Sequence, residues 1–391
     1  MNIYLVGGAV RDELLGLPVT ERDWVVVGAT PRELLDRGFT PVGKDFPVFL
    51  HPKTREEYAL ARTERKTAPG YRGFEVHAAV DVTLEEDLQR RDLTVNAMAK
   101  DAEGRLIDPF GGRRDLAARQ LRHVSPAFVE DPVRILRVAR FKARFAALGF
   151  TVAPETTALM AAMVQRGEVD ALVAERVWAE LHRTLATANP AAFFQVLRSC
   201  GALARLFPEL DAAFALEDCR WPNRAEALLA CLDRAVAQGA SKPVRLAALL
   251  HDLPPKPGAE RAREVCQRWH SPNEYRDLAV AVAEHWRTLS QPLDAEGVLG
   301  LLEQTDALRR PERFEALLAV GEAVAKGRWD RSVAEMAAHL RQALAVAAQV
   351  SAQPLLAQGY RGKALAGALR AERRRAIAAL TTAAFPHSPE A

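Results

Sequence analysis

Glu21 and Asp23 are two carboxylates separated by one residue at the start of the apolar run DWVVVGA, and they offer the most direct chemistry in the sequence. Strand side chains alternate, so positions i and i+2 face one side and the two carboxylates converge. Converging hard oxygen donors suit Mg²⁺, and a pair of them can hold two ions that align a 3′-hydroxyl with the α-phosphate of a nucleoside triphosphate. Acid pairs at this spacing also occur on ordinary solvated strands, so the preceding text carries the discrimination. There LVGGAVRD sets Gly7 and Gly8 at the junction of a strand and a helix, where bare backbone N–H groups attract phosphate. Arg11 lies one turn into that helix and can offer its planar guanidinium to the same triphosphate. A glycine pair, an arginine and then acid-x-acid on the next strand is an order that few other chemistries need.

The elements that must position these residues are short. IYLVGG reads as a strand, AVRDELLG as helix, and RDWVVVGA as a second strand of β-branched residues. TPRELLDRGF opens with a Thr-Pro helix start and closes on glycine. FPVFLHP and EEYALARTE read as two further strands joined by a turn at Pro52 to Arg55, which makes a small mixed α/β unit. KTAPGYRG, from Lys66 to Gly73, reads as a mobile surface loop of the kind that closes over substrates. From Thr83 onward the strand signal nearly disappears, and the remainder is expected to be all-helical, with breaks near Gly149 and Pro208.

At 391 residues the chain exceeds one ordinary core, and two to four packed units are expected. No apolar run reaches the roughly 18 residues of a membrane span, and MNIYLVGGAV has no basic start or cleavage site of a secretory signal, which points to the cytoplasm. The cysteines at 200, 219, 231 and 266 lack CxxC spacing and read as reduced thiols rather than a zinc or disulfide framework. The net charge of +3 diagnoses nothing, but its distribution is uneven. Arg105 to Phe145 holds ten Lys/Arg against four Asp/Glu, Arg205 to Arg234 four against six, and Gly359 to Arg375 six against one. The two basic windows could follow a phosphate backbone or form solvated helix faces.

LVGGAVRDELLG, ERDW, RRDLTVNAMA, IDPFGG and EDPVRILRVARF resemble, in order and spacing, the motifs of class II tRNA nucleotidyltransferases, the bacterial C-C-A-adding enzymes, and VSPAFVEDPVRILRVARF and AERVWAEL extend the likeness over about the first 210 residues. The resemblance implies an α+β fold with a DNA polymerase beta-like nucleotidyltransferase head (1–140) and helical neck (141–208), body (209–345) and tail (346–391). It implies a Mg²⁺ enzyme that adds C and A to the 3′ end of tRNA from CTP and ATP, with no protein partner. By that likeness Gly8 and Arg11 contact the triphosphate, Glu21 and Asp23 the metals, and Arg91, Arg137 and Arg140 the nucleotide.

Two further pairs have bland and functional readings. Asp92 and Asn96, four apart on an expected helix, can accept and donate hydrogen bonds to a ribose, or Asp92 can cap the turn that follows. In EDPVR, Asp131 and Arg134 share a helix face. Asp131 can accept from the exocyclic amine of cytosine or adenine while Arg134 donates to the ring, a pattern that uracil and guanine mismatch. The bland reading is an Asp-Pro helix start with an outward arginine. LAALLHDL, at Leu246 to Leu253, resembles the remnant of a metal-dependent HD phosphohydrolase domain. His251 and Asp252 remain, but Gly201 to Leu250 contains no upstream histidine, and His270 and His285 are the available replacements. The expectation is the fold without the hydrolase activity. The rival functions are a bacterial poly(A) polymerase, a partial enzyme adding only C-C or only A, and a catalytically silent tRNA-binding protein.

Overall fold

Asn2–Val6 forms strand β1, and its NIYLV run ends at Gly7 with φ +71° and ψ −124°, a backbone region that residues bearing a Cβ avoid. Helix α1 (Gly8–Leu14) starts directly from that turn. Strand β2 (Asp23–Val27) returns antiparallel to β1, with Val6 opposite Asp23. The computed structural model describes residues 1–42, 48–66, 74–77, 79–218, 221–254, 258–328 and 332–384. All of the expected 66–73 loop except Lys66 lies outside the described residues, as does Cys219. The other three cysteines are buried free thiols.

Helix α2 (Pro31–Asp36) is closed by a capping box between Thr30 and Glu33 and ends beside Gly38 at φ +81°. Strands β3 (Thr40–Val42), β4 (Val48–Leu50) and β5 (Glu57–Leu60) follow, with the β4–β5 turn where the sequence places it and Arg55 at φ +61°. Strands β6 (Thr63–Lys66) and β7 (Phe74–His77) pair apart from the main sheet. Helix α3 (Leu84–Gln89) has its own capping box, Thr83 with Glu86. Strands β8 (Ala99–Lys100) and β9 (Leu106–Ile107) complete a seven-stranded mixed sheet in the order β3-β4-β5-β2-β1-β8-β9.

Strand β2 divides the core between the two faces of the sheet. Val25 packs with Val6, Leu88, Ala97 and Ala99, whereas Val26 packs with Leu34, Phe49, Tyr58 and Leu60. Each buried valine contributes about 2 kcal/mol, so a one-residue slip in register would cost several kcal/mol. That register also turns Asp23 to the side of Val25, the side on which α3 packs.

Helix α4 (Gly112–Ala117), strand β10 (Gln120–Leu121), helix α5 (Val133–Phe145) and strand β11 (Thr151–Val152), which pairs parallel to β10, continue the chain. Helices α6 (Pro154–Gln165) and α7 (Ala174–Thr184) come next, then α8 (Ala191–Ser199) and α9 (Ala202–Leu206). The chain past Thr83 is therefore not wholly helical. Strands β8 to β11 are two residues each, too short to show a period of two.

The chain folds as two units, Met1–Pro208 and Glu209–Ala391. The boundaries expected at 140 and 345 both fall inside helices, α5 and one spanning Ser332–Gln349. Among its described residues the second unit is helical throughout. Its centre is the apolar helix Lys242–Leu250, which packs against Arg224–Ala237, Asn273–His285 and Pro311–Arg328. Among the described residues no helix is long and apolar enough to cross a membrane.

Candidate active site

A cavity of about 1120 Å³ opens in the first unit, and all eleven residues singled out in the sequence line it: Gly8, Arg11, Glu21, Asp23, Arg91, Asp92, Asn96, Asp131, Arg134, Arg137 and Arg140. The sheet supplies the acids. Asp23 opens β2, but Glu21 precedes the strand rather than beginning it, and both are exposed at the cavity. The cavity walls desolvate the Asp23 carboxyl and push its pKa up, Arg91 opposes this, and Glu21 adds to it. Two carboxylates that repel each other beside a ring of arginines form a donor set for a divalent cation. Among the described residues no third His, Cys, Asp or Glu completes a metal-holding group. The pair therefore fits an ion that draws its remaining ligands from water and a substrate phosphate.

Gly7 gives the turn its close approach, because a Cβ there would lie 2.6 Å from Arg91 Nη1. Arg91 is drawn back by Asp87 (3.3 Å), a carboxylate with no side-chain exposure that also holds Arg90 (2.8 Å). Arg11 is 2% exposed, bonded to Asp12 through Nε at 2.8 Å and to the side chain of Asn96, and it lies 5.1 and 5.0 Å from the ring centroids of Phe141 and Phe145. Burial lowers its pKa while Asp12 raises it. Its orientation is thus set by protein partners, and its charge reaches the cavity from the wall.

Asp92 and Asn96 do not share an α-helix as expected. Helix α3 ends at Gln89, Leu93 bridges to His123, and Asn96 closes a separate 3₁₀ turn, Thr94–Asn96. The two side chains nevertheless meet, Asn96 Nδ2 donating to Asp92 Oδ1 at 2.9 Å. The same oxygen accepts from the Leu93 N–H at 2.8 Å, and Oδ2 accepts from Arg137 Nε at 2.6 Å. Burial pushes the Asp92 carboxyl up, but Arg137 and the Asn96 hydrogen bond overcome it and bring its pKa down to about 2.

Helix α5 carries a stripe of arginines because Arg134, Arg137, Arg140 and Arg144 recur at helical spacing. Phe141 lies beneath the guanidiniums of Arg137 and Arg140, at 5.6 and 4.4 Å. Arg140 is tied to Glu180 of α7 at 2.5 Å, with burial lowering its pKa and Glu180 raising it. The outward arginine of the bland EDPVR reading does not occur. Arg134 is 8% exposed and donates to the carbonyls of Ala127 (2.8 Å) and Arg90 (2.6 Å). Asp131 lies two residues ahead of the helix, where its side chain accepts from the Val133 N–H at 3.1 Å, and its two oxygens also receive Arg176 at 3.0 and 2.7 Å.

Sequence reasoning missed the contribution of α7. Arg176, Glu180 and Arg183 line the cavity, and their i, i+4, i+7 spacing in AERVWAELHRT was the available signal. In the second unit, His251 is buried, its Nδ1 2.7 Å from the Ala248 carbonyl and its ring edge-on to Trp286. Asp252 is held by Arg224 and, at 2.9 Å, by Arg287.

A family model described as the poly A polymerase head domain matches residues 3–122, and one described as a probable RNA- and SrmB-binding site of polymerase A matches 149–214. A multifunctional CCA protein of Thioalkalivibrio sulfidiphilus is 56% identical over 402 residues, covering 96% of this chain and 98% of its own. The namesake of Nitrosococcus oceani is 54% identical, with coverage of 96% and 98%. The Bacillus stearothermophilus CCA-adding enzyme, solved in complex with CTP, superposes with a TM-score of 0.65 at 25% identity, covering 97% of this chain and 89% of that one. The sheet and the carboxylate-arginine cavity thus define a nucleotidyltransferase head of the polymerase beta type. The chain belongs to the bacterial CCA-adding tRNA nucleotidyltransferases, enzymes that use a divalent metal ion.

Proposed function

We propose that this chain adds C and A nucleotides to the 3′ end of tRNA from CTP and ATP, without a nucleic-acid template, with Mg²⁺ held by Glu21 and Asp23. The observation that carries the reading is a single cavity in which this acid pair, the glycine turn and the Asp131–Arg134 pair all face the same space. Glu21 and Asp23 would hold the ion, which would supply positive charge to the α-phosphate and acidify the 3′-hydroxyl; attack of that hydroxyl on the α-phosphate forms the new P–O bond as the bond to the departing pyrophosphate breaks. The Gly7 N–H is taken by the Met98 carbonyl at 3.1 Å, so the helix start at Gly8 presents its backbone N–H to the triphosphate, while Arg11 and Arg91 neutralise its charge from the wall. Arg137 and Arg140 hold the nucleotide over Phe141. Asn96 keeps a second amide hydrogen for the ribose, and Asp92 holds Asn96 and Arg137 in place. Asp131 accepts from the exocyclic amine of cytosine or adenine, and Arg134 donates to the ring.

The likeness of residues 149–214 to an RNA-binding model agrees with a tRNA acceptor following the first unit. We divide the chain into head 1–140, neck 141–208, body 209–345 and tail 346–391, and place the enzyme in the cytoplasm. Offering each triphosphate separately to tRNAs ending before C, after C and after C-C tests the function. A full enzyme extends all three in order. A poly(A) polymerase adds long adenosine tails and ignores cytidine, and a partial enzyme stalls at one of the three ends.

A further inference from the structure

We propose that Arg176, on α7, is a positioning residue for base selection: its bidentate grip fixes the Asp131 carboxylate so that a single acceptor position faces the incoming base. The inference rests on the reading of Asp131 as the acid that receives the exocyclic amine. An ionised carboxylate offers about four acceptor positions on its two oxygens. Three are occupied by protein donors: Oδ1 takes the Val133 N–H at 3.1 Å and Arg176 Nη1 at 3.0 Å, and Oδ2 takes Arg176 Nη2 at 2.7 Å. Among the described residues, one position on Oδ2 remains.

That count matters for discrimination. A single fixed acceptor satisfies one amine hydrogen of cytosine or adenine, and it repels the carbonyl oxygen that uracil and guanine present at the same place. A carboxylate free to turn about its Cβ–Cγ bond can instead seat a water that donates one hydrogen to the acid and one to that carbonyl, which removes the penalty. Arg176 prevents the turn because its planar fork matches both oxygens at once. The residue is well placed for this, since its side chain is only 25% exposed and α7 is tied a second time to α5 through Glu180 and Arg140. A lysine would keep the charge but hold one oxygen only.

The test uses the full chain and a tRNA lacking its three terminal nucleotides, with kcat/KM for CTP, ATP, UTP and GTP measured singly. Arg176→Ala and Arg176→Lys should each lower the preference for CTP over UTP by about tenfold or more, as Asp131→Ala should, and the double variant Asp131→Ala/Arg176→Ala should lose no more than Asp131→Ala alone. A merely structural arginine would depress all four nucleotides equally and leave the preference intact, which overturns the proposal. Wild-type preference in Arg176→Lys overturns it too, because charge without the fork would then suffice. Unchanged preference in Asp131→Ala overturns the base-reading assignment itself, and the role of Arg176 with it.

Discussion

At the scale of the residue, most charged side chains of the cavity are held by protein partners, some of them distant in sequence, as Arg137 is to Asp92 and Arg176 to Asp131. Glu21 and Asp23 are the exception, since both are exposed and neither supports the core. Glu21→Ala or Asp23→Ala should therefore lower turnover in Mg²⁺ by at least on the order of a hundredfold while leaving the melting curve unchanged. Near-normal turnover in either variant would refute the carboxylate assignment. Asp131→Ala should raise misincorporation of UTP and GTP about tenfold, at a cost of roughly 1–3 kcal/mol of discrimination, with triphosphate affinity little changed. Asp92 behaves differently because it is buried and its pKa lies near 2 in the folded chain against about 3.9 unfolded. A depressed carboxyl stabilises the fold above its unfolded pKa, and that stabilisation is lost as pH falls through the folded value. The window is thus about pH 4 to 2, and its size is on the order of 2–3 kcal/mol. Asp92→Asn should melt less steeply with acidification in that window than the parent. Identical slopes of melting temperature against pH would show that Asp92 carries no such linkage.

At the scale of the element, the site depends on how tightly the 3₁₀ turn Thr94–Asn96 is pressed against α4. Gly112 makes the contact, since a Cβ there would fall 2.3 Å from the Thr94 carbonyl oxygen and 2.8 Å from Met98. The start of α4 is fixed in turn by Asp108, which accepts from the N–H groups of Gly112 (2.6 Å) and Arg113 (2.9 Å). The start of α4 cannot retreat without releasing these bonds, nor the turn without releasing the Thr94 N–H from the Arg122 carbonyl at 2.9 Å. Gly112→Ala should destabilise the chain by about 1–3 kcal/mol and lower activity by displacing Asn96 from Arg11. A melting temperature equal to the parent's would mean that the turn yields more readily than this packing implies.

At the scale of the whole molecule, two units carry different chemistry. The first concentrates its arginines around one cavity. The second retains His251 and Asp252 but turns them inward. Arg224 and Arg287 take the Asp252 carboxylate, and Ala248 and Trp286 enclose the His251 ring. His285 is also buried, and burial lowers its pKa against the pull of Glu284, so it suits a neutral core histidine. A metal that activates water needs several converging ligands and an open position. The chain should accordingly show no phosphatase or 2′,3′-cyclic phosphodiesterase activity with Ni²⁺, Co²⁺, Mn²⁺ or Mg²⁺. Metal-dependent turnover that disappears in His251→Ala would overturn this.

The sequence alone determined the early strands and helices, because GG after an apolar run, Thr-Pro-x-Glu and alternating valines are local signals with local physics. It also determined which residue types gather in the cavity, since paired acids, a glycine turn and arginines at helical spacing are read from order and period. Tertiary structure decided what spacing leaves open. It broke the expected Asp92–Asn96 helix into a turn while keeping the two side chains bonded, since Leu93 bridges to His123 from a distant segment. It drew Arg134 inward toward the carbonyls of Ala127 and Arg90, and it brought α7 across to place Arg176 on Asp131 and Glu180 on Arg140. The pairings of Arg134 with Arg90, Arg176 with Asp131 and Glu180 with Arg140 join residues 40 to 45 positions apart, and a periodicity of 3.6 or 2 carries no information about partners at that separation.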